Sequence, residues 1–441
     1  MLITEYRLDL VIQALRTILP LEHPADTSLR YFFQAERVGS NERALIAETV
    51  FGVLRHRLLL EHACTTPAAA ANKPTPRRMA LAYWVRFDGY NVRELTPILK
   101  ATEAEWLGQV KGIKPDDLPL SVQAELPDWI IEKLRAHRSD DEILALGLSM
   151  QASAPLDLRV NSLKANRDEL LHGLSAEGVQ AVAAPYSPLG IRVTGKPALN
   201  KSPLFLGGRF EVQDEGSQLL SFLLAPKRND MVVDFCAGAG GKTLMLGAMM
   251  NSQGRLYAWD VSEKRLANLK PRLARSGLSN VQPQLIAHEN DSKIKRLAGK
   301  IDRVLVDAPC SGLGTLRRNP DLKFRQSEQS VAELTQKQAA ILAAASKLLK
   351  AGGRLVYATC SLLHEENQGI VEAFLGQHPE FTLLPAGEVL AQQKIALPMG
   401  DYLQLLPQQH GTDGFFAAVM ERKIKVATNV PVDTENSSTP L

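Results

Sequence analysis

The spacing of apolar residues divides the chain into parts with different patterns. Over roughly the first 145 residues, apolar side chains recur three and four positions apart, as on one face of an amphipathic helix. This spacing predicts helices at 42–60, 79–87 and 121–136, with Ser40 or Asn41 as the N-cap of the first. We therefore predict an all-α region over residues 1–145.

The apolar pattern changes near residue 150. Alternation of apolar and polar residues predicts short strands at 156–160, 191–193 and 210–212, and a helix begins near Arg167. Strands this short, combined with a helix, are typical of a small mixed domain. We therefore assign residues 146–210 to a small α+β module.

From residue 211 to 423, predicted strands alternate with predicted helices. The strands fall at 231–235, 255–259, 281–287, 303–306 and 354–358, and the helices at 242–250, 263–276 and 331–349. This alternation predicts an α/β, Rossmann-like domain whose parallel sheet binds its ligand beyond the carboxyl ends of the strands. The last residues, 424–441, are polar and aperiodic, which predicts a disordered tail.

Composition excludes several classes of protein. With 45% hydrophobic and 22% charged residues, the 441-residue chain is neither mainly disordered nor collagen-like. No apolar run approaches the roughly 20 residues of a membrane helix, and the N-terminus lacks the order of a signal peptide. We therefore expect a cytoplasmic protein without a membrane partner. The net charge of +3 permits a nucleic-acid partner but does not require one.

The chain contains four cysteines, Cys64, Cys236, Cys310 and Cys360. None is spaced as Cys-x-x-Cys and none belongs to a His-Cys cluster, so we expect neither a disulfide framework nor a metal site. In a reducing compartment such cysteines are either small buried residues or nucleophiles. Their local sequences therefore carry the functional information.

A glycine-rich loop follows the first strand of the α/β part. It runs from Asp234 to Thr243 and differs from two nucleotide-binding motifs by one residue each. A P-loop needs glycine at the position of Cys236, and a dinucleotide-binding fingerprint needs glycine at the position of Thr243. About 20 residues after the glycines, Asp260 closes the second strand, where a carboxylate can bind ribose hydroxyls. A ribose acceptor without a phosphate grip suits S-adenosylmethionine. The alternative is a glycine-rich turn without a ligand.

Two of the cysteines directly follow predicted strands. Asp307 and Cys310 come after the strand at 303–306, and Cys360 comes after the strand at 354–358. Carbon 5 of a pyrimidine is a weak nucleophile until a thiolate adds to carbon 6. The ring then needs a polar group at N3, which Asp307 could provide, and a base must later remove the carbon-5 proton. The residues alone do not decide which cysteine attacks.

These motifs resemble the Sun/Nop/Rsm family of RNA (cytosine-5) methyltransferases, in particular its bacterial ribosomal-RNA members. The resemblance rests on DFCAGAGGKT (234–243), DAPCSGLGTLRRNPDLKF (307–324) and ATCS (358–361), and more weakly on LDLRVNSLK (156–164) and VQDEGSQL (212–219). It implies that Cys360 is the nucleophile and Cys310 the helper in product release. It also implies that Asp307 and Lys242 contact the target cytosine.

The same resemblance implies a set of contacts to S-adenosylmethionine. The set comprises Cys236, Ala237, Gly238, Ala239, Gly240, Gly241, Lys242, Asp260 and Asp307. The family usually has an acidic residue after its third strand that contacts the adenine. We expect His288 near that place, with Asn290 or Asp291 as alternatives.

Basic residues after the Pro-Cys motif suit contacts with RNA phosphates. They are Arg317, Arg318 and Lys323, with Asn319 and Arg325 beside them; the alternative is a solvated charged segment. By the resemblance, the module at 146–210 adds an RNA platform with Arg159 and Asn161, and the helical region is NusB-like. We expect a monomer acting on small-subunit (16S) ribosomal RNA, whose target base leaves its stack to react.

Two other functions remain open on the sequence. One is a DNA cytosine-5 methyltransferase with Cys310 as nucleophile, which the Thr-Cys-Ser motif and the lack of a large insertion after the core disfavour. The other is an RNA-binding ribosome-assembly factor with a relic site. Intact Cys310, Cys360, Asp307 and Lys242 disfavour the relic.

Overall fold

The computed structural model describes residues 2–65, 73–195 and 197–424, so the predicted disordered tail, apart from Ile424, lies outside the described residues. The N-terminal part, over the first 150 residues, is helical. They are α1 (Glu5–Ile18), α2 (Ala25–Ala35), α3 (Ser40–Arg55), α4 (Arg57–Thr65), α5 (Pro76–Arg86), α6 (Val92–Leu95), α7 (Glu103–Gly112), α8 (Leu120–Ala124), α9 (Asp128–Arg135) and α10 (Asp140–Met150), with 3₁₀ turns at Thr96–Ile98 and Pro115–Asp117.

Two helices that the spacing predicted as continuous are each broken. The segment 42–60 is interrupted at His56, whose φ of −109° and ψ of 28° separate α3 from α4. The segment 121–136 is interrupted because Glu125 adopts a left-handed conformation with φ 56° and because Pro127 follows it. Apolar spacing continues through both breaks, so it could not reveal them.

The start of α3 also differs from the prediction. Its N-cap is Gly39, and no side chain caps the free N–H groups there. Neither Ser40 nor Asn41 is therefore the N-cap. Both lie inside the first turn, where a short polar side chain is tolerated without capping the helix.

The helices divide between two apolar cores. Helices α1 to α7 share one core that includes the fully buried Trp84, whose indole donates a hydrogen bond to Thr49 Oγ1 at 2.9 Å. Helices α8 to α10 instead pack, through residues such as Ile143 and Leu146, against Leu316 and Leu362 of the C-terminal part. The packing separates α8 to α10 from α1 to α7, whereas the predicted boundary at residue 145 lies within α10. That boundary remains a prediction.

The middle part is a small sheet covered on one side by a helix. Its elements are β1 (Leu156–Val160), α11 (Arg167–Ala176), β2 (Ala181–Ala183), β3 (Gly190–Val193), α12 (Pro203–Leu206) and β4 (Phe210–Val212), with a 3₁₀ turn at Leu199–Lys201. The strands are antiparallel in the order β2-β3-β1-β4. This arrangement confirms the predicted α+β character of the segment.

The C-terminal part contains the large sheet and the helices that cover it. Its elements are α13 (Glu215–Leu224), β5 (Met231–Asp234), α14 (Gly241–Met249), β6 (Arg255–Asp260), α15 (Glu263–Ser276), β7 (Val281–Leu285), α16 (Ser292–Lys295), β8 (Ile301–Asp307), α17 (Leu322–Arg325), α18 (Glu328–Ser346), β9 (Leu349–Thr359), α19 (Gln368–Gln377), β10 (Phe381–Leu384), α20 (Ala386–Gln392), β11 (Tyr402–Leu405), α21 (Pro407–His410) and β12 (Phe415–Arg422), with 3₁₀ turns at Leu313–Thr315 and His364–Glu366.

The order of the strands in this sheet indicates which edge binds the ligand. The order is β10-β12-β9-β8-β5-β6-β7, with β11 beside β12. Strands β5 to β9 are parallel, which confirms the predicted α/β, Rossmann-like fold, while β10 to β12 add an antiparallel edge that the sequence did not predict. Chain order reverses between β5 and β8, and in such sheets the crevice at the carboxyl ends beside the reversal binds the ligand.

Three features of the described residues concern membrane spans, metal sites and disulfides. In the three described ranges, no helix is both long enough and apolar enough to cross a membrane. Over the same residues, His, Cys, Asp and Glu side chains do not assemble into a group that could hold a metal ion. All four cysteines are free, and Cys64 is buried in the helical core.

Candidate active site

The structure brings two distant cysteines into contact. Cys310 follows β8 and Cys360 follows β9, and these strands are parallel neighbours. Their Sγ atoms lie 3.4 Å apart although the residues are 50 positions apart in sequence. Both thiols therefore face the same point at the carboxyl edge of the sheet.

An ion pair lies beside the cysteines. Lys242, in the first turn of α14, donates a hydrogen bond of 2.6 Å to Asp307 at the end of β8. Burial alone would lower the pKa of Lys242, but the charge and hydrogen bond of Asp307 outweigh it and raise that pKa. Lys242 is therefore a firmly protonated ammonium group at the site.

The two thiols have different electrostatic surroundings. The hydrogen bond with Cys360, burial and the charge of Glu366 raise the pKa of the Cys310 thiol well above its usual value. The negative charge of Cys360 contributes to the raised pKa of Lys242, which places the ammonium close enough to attract that sulfur when it is a thiolate. The Lys242 ammonium near Cys360 and the Glu366 carboxylate near Cys310 therefore give the two sulfurs charged neighbours of opposite sign.

A cleft of about 740 Å³ opens in front of these groups. Predicted site residues that line it are Cys236, Ala237, Gly238, Ala239, Gly241, Lys242, Asp260, Asp307, Cys310 and Cys360. Gly238 has φ +56° and faces open space, which lets a ligand approach the backbone.

Gly240 has a different role from the one the resemblance implied. Its φ is +81° and it is the N-cap of α14. A Cβ at this position would lie 2.1 Å from Leu269 of α15, so the glycine permits close packing of the two helices. Gly240 does not line the cleft, unlike its neighbours Ala239 and Gly241.

Three successive strands each deliver one carboxylate to the cleft. Asp234 ends β5, Asp260 ends β6 and Glu289 follows β7. Burial raises the pKa of Asp234 to about 6; its Oδ2 accepts a hydrogen bond from Thr243, while its buried Oδ1 has no protein partner in the described ranges. Asp260 accepts hydrogen bonds from the N–H groups of Gly238 at 2.8 Å and Ser262 at 2.7 Å, which orients it toward the cleft.

The acidic residue after the third strand is Glu289. His288 is exposed, does not line the cleft and accepts a hydrogen bond from the N–H of Asn290 on the surface. Asp291 caps the short helix α16. Glu289, and not the predicted His288, therefore lines the cleft. The exposed edge strand β7 has no apolar pattern that fixes the register of the residues after it.

Two predicted RNA contacts join the middle part to the catalytic sheet instead. Arg159 is 3% exposed and donates hydrogen bonds to Gln213 and to the carbonyl of Gly241. Asn161 is also buried and donates hydrogen bonds of 2.9 Å to the carbonyls of Gly208 and Ser276. Neither side chain is available to a phosphate, so both predictions are corrected to structural contacts.

The basic residues after the Pro-Cys motif are also engaged within the protein. Arg317 is buried, and together with Arg318 it binds Asp413; Arg318 reaches Asp214 as well. Lys323, 3% exposed, donates to carbonyls of Arg55 and Glu125 and pairs with the Glu125 carboxylate. Arg317 and Lys323 are therefore buried structural contacts, while the partly exposed Arg318 remains a predicted phosphate contact. The acidic partners lie 95 to 198 residues away in sequence and gave no local signal.

Sequence reasoning missed several residues that the site uses. Arg265 and Lys337 are exposed cations on the rim of the cleft, and Glu366 is a buried carboxylate next to both cysteine loops. Glu366 lies in the Glu-Glu-Asn run at 365–367, shortly after the Thr-Cys-Ser motif at 359–361, and only that position could have drawn attention to it. The rim cations carry no motif.

Comparison with known families agrees with this site. A family model described as 16S rRNA methyltransferase RsmB/F matches residues 221–421, which include both cysteines and the glycine-rich loop. A second model, the ferredoxin-like domain of RsmF/B-like methyltransferases, matches residues 126–200. The two matches cover the large sheet and most of the middle part.

Several related proteins and one solved structure are similar over most of the chain. A probable ribosomal RNA small subunit methyltransferase B from Synechocystis is 35% identical over 70% of this chain and 69% of its own. One from Bacillus subtilis is 27% identical over 94% and 98%. The crystal structure of PH0851 has a TM-score of 0.76 and 26% identity over 96% of this chain and all of that one.

A further crystal structure is informative for the fold alone. NSun6 from Pyrococcus horikoshii with SFG is 22% identical over 67% of this chain and 98% of its own, with a TM-score of 0.60. The likeness in sequence and the resemblance of the motifs point the same way as the geometry of the cleft. The chain belongs to the RsmB/F family of 16S rRNA methyltransferases and is an RNA methyltransferase that depends on S-adenosylmethionine.

Proposed function

We propose that this protein methylates carbon 5 of a cytosine in 16S ribosomal RNA through a covalent bond between Cys360 and the base. The observation that carries the proposal is the pair of thiols 3.4 Å apart beside the Lys242–Asp307 ion pair. A single thiol would suffice for attack, and the second provides for release. All these groups come from one chain, so we propose that a monomer is active.

The cleft fits S-adenosylmethionine. The cofactor supplies an electrophilic methyl group on a sulfonium. Asp234, Asp260 and Glu289 offer acceptors at three successive strand ends, and the unpartnered Oδ1 of Asp234 fits the cofactor's ammonium group. Asp260 is assigned to the ribose hydroxyls and Glu289 to the adenine. Their negative charges also favour a positively charged ligand.

The proposed reaction begins at Cys360. Its thiolate adds to carbon 6. The electron pair of the 5,6 double bond moves to a new double bond between carbons 4 and 5, and negative charge develops at N3. Asp307 and Lys242 stabilise that charge through a shared proton. Carbon 5 is now a nucleophile and would bond to the methyl carbon, whose bond to the sulfonium sulfur would break. The electron pair of that bond would stay on the sulfur of the released S-adenosylhomocysteine. Cys360 is thereby attached to a methylated, saturated ring.

Release needs a base near carbon 5. The Cys310 thiolate takes the proton from carbon 5, the electrons of that C–H bond restore the 5,6 double bond, and the Cys360 sulfur leaves with its bonding pair. The raised pKa makes the Cys310 thiolate a strong base, but it also means that the resting thiol must first give its own proton to solvent.

The proposal is tested by incubating the protein with labelled S-adenosylmethionine and 16S RNA transcribed without modifications. We expect 5-methylcytosine as the labelled nucleoside, none on 23S RNA or duplex DNA, and none with Cys360→Ala. Label on DNA would favour a DNA methyltransferase. RNA binding without any label would favour an assembly factor with a relic site.

A further inference from the structure

A buried carboxylate joins the loops that carry the two cysteines. Glu366 has no exposed surface and ends the 3₁₀ turn His364–Glu366. Ser311 and Ser361, the residues directly after Cys310 and Cys360, both donate hydroxyl hydrogen bonds to its Oε2. The N–H of Ser311 also donates to Oε1 at 2.8 Å. One carboxylate therefore binds both cysteine loops at equivalent positions.

Glu366 is itself held from two sides. Gln338 of α18 donates its amide to Oε1 at 3.0 Å and also to the carbonyl of Pro309 at 2.9 Å. Tyr357 of β9 donates its hydroxyl to the backbone carbonyl of Glu366 at 2.7 Å. The carboxylate therefore accepts four hydrogen bonds and cannot shift without breaking several of them.

This arrangement is costly for stability alone. Within the described ranges, Glu366 has no cationic partner within ion-pair distance, and four neutral donors replace the water that a carboxylate would otherwise bind. Burying a charge without a counter-ion is unfavourable. A neutral side chain would fill the same space at less cost, so the charge and its four acceptor positions need another reason.

We propose that Glu366 is a positioning residue that holds the Cys310 and Cys360 loops in register, so that both sulfurs reach one pyrimidine ring. Glu366 acts through Ser311 and Ser361, whose hydroxyl oxygens lie 3.1 Å apart. The catalytic meaning of this role rests on the proposed function. The geometric role does not, and it can be measured without any methyl transfer.

Disulfide formation between the two cysteines measures their separation directly. Diamide removes two electrons and two protons from a pair of thiols, and its N=N bond becomes a hydrazine. The linked peptide of Cys310 and Cys360 is quantified by mass spectrometry over time in three proteins: wild type, Glu366→Gln and Glu365→Gln. Glu365 is the matched control, because its carboxylate pairs with Lys133 at 2.9 Å and not with Ser311 or Ser361.

The two possible effects of Glu366→Gln have opposite signs. Loss of register slows the cross-link, and we expect a fall of at least about tenfold, because a disulfide tolerates little change in separation. Loss of charge alone would favour the Cys310 thiolate and speed the cross-link. Glu365→Gln should react like wild type. A cross-link in Glu366→Gln that is as fast as wild type, or faster, overturns the proposal.

A kinetic measurement then separates positioning from loss of fold. We expect kcat for methyl transfer to fall about 100-fold in Glu366→Gln, as for a misplaced reacting group, with KM for RNA and Kd for S-adenosylmethionine unchanged. An equal loss of cofactor affinity would instead indicate a general structural role and contradict the proposal. If Glu366→Gln does not fold, Ser311→Ala decides in the same two measurements. It removes the hydroxyl hydrogen bonds of Ser311 to Glu366 and to Ser361 but keeps the charge of Glu366.

The outcomes distinguish this proposal from the proposed function. If the wild type forms the Cys310–Cys360 cross-link faster than Glu366→Gln but transfers no methyl group to 16S RNA, the positioning role stands and the proposed function fails. If methyl transfer occurs and the cross-link rate does not depend on Glu366, the proposed function stands and the positioning role fails.

Discussion

The Sγ atoms of Cys310 and Cys360 lie 3.4 Å apart at the ends of two neighbouring parallel strands. Lys242 lies on the side of Cys360, and the Glu366 carboxylate acts on Cys310. The two thiols therefore have different electrostatic surroundings. The hydrogen bond with Cys360, burial and the charge of Glu366 raise the pKa of Cys310, while the Lys242 ammonium lies near Cys360. We propose that Cys360 attacks and that Cys310 acts in release.

The first prediction concerns the cofactor contact after β7. Glu289 lines the cleft and His288 does not, so Glu289→Ala should weaken S-adenosylmethionine binding about 10- to 100-fold, the loss of a hydrogen bond to a charged group. Isothermal titration calorimetry measures this directly. His288→Ala is the matched control and should bind as wild type. Weakened binding in His288→Ala with normal binding in Glu289→Ala would reverse the assignment.

The second prediction concerns the buried pair of Lys323 and Glu125. Lys323→Met should lower the free energy of unfolding by about 3–5 kcal/mol, because it leaves a buried carboxylate without its cation. Denaturant titration measures the loss. The control is Arg325→Met, whose partly exposed pair with Asp321 should contribute about 1 kcal/mol or less. Unchanged stability with weakened RNA binding in Lys323→Met would restore it as a phosphate contact.

The third prediction concerns pH and His56. Its ring stacks on Phe87 at 3.7 Å, and burial, with the charges of Lys323 and Arg55, lowers its pKa from 6.5 to about 3. The unfolded chain gains a proton on His56 below pH 6.5 while the folded protein does not. Stability is therefore complete above pH 6.5 and falls as the pH drops toward 3, by about 1.4 kcal/mol per pH unit from this residue.

Unfolding of His56→Phe tests this dependence. The variant keeps an aromatic ring beside Phe87, and the slope of stability between pH 6 and 4.5 should be shallower than in wild type by one proton. Measurement of both proteins at pH 7.5, where His56 is neutral folded or unfolded, corrects for any change in packing. Equal slopes in the two proteins would show that His56 is protonated in the folded state.

Much of the site could be predicted because it lies where apolar strands end. Cys310 and Cys360 each directly follow a strand with a clear apolar pattern, so their meeting at one sheet edge followed from the parallel topology. The residues after β7 could not be placed as well, since that strand is exposed and lacks such a pattern. The sequence therefore indicated His288, whereas Glu289 is the residue that lines the cleft.

Other features depend on contacts between distant parts of the chain. Lys323 has the local appearance of a phosphate-binding residue, but its partner Glu125 lies 198 residues earlier. The break at His56 and the left-handed conformation of Glu125 likewise arise from tertiary packing, since the Glu125 carboxylate accepts the N–H groups of Leu58 and Leu59. No local pattern could have shown these contacts.

The roles of the two cysteines are tested most directly by a covalent adduct that survives denaturation. Labelled 16S RNA and S-adenosylmethionine are incubated with wild type, Cys310→Ala and Cys360→Ala, and the proteins are separated on a denaturing gel. We predict that Cys310→Ala accumulates the protein–RNA adduct, because attack and methyl transfer proceed but release fails. Cys360→Ala should form no adduct and transfer no methyl group. An adduct in Cys360→Ala that is absent from Cys310→Ala, or full transfer by Cys360→Ala, would contradict the account.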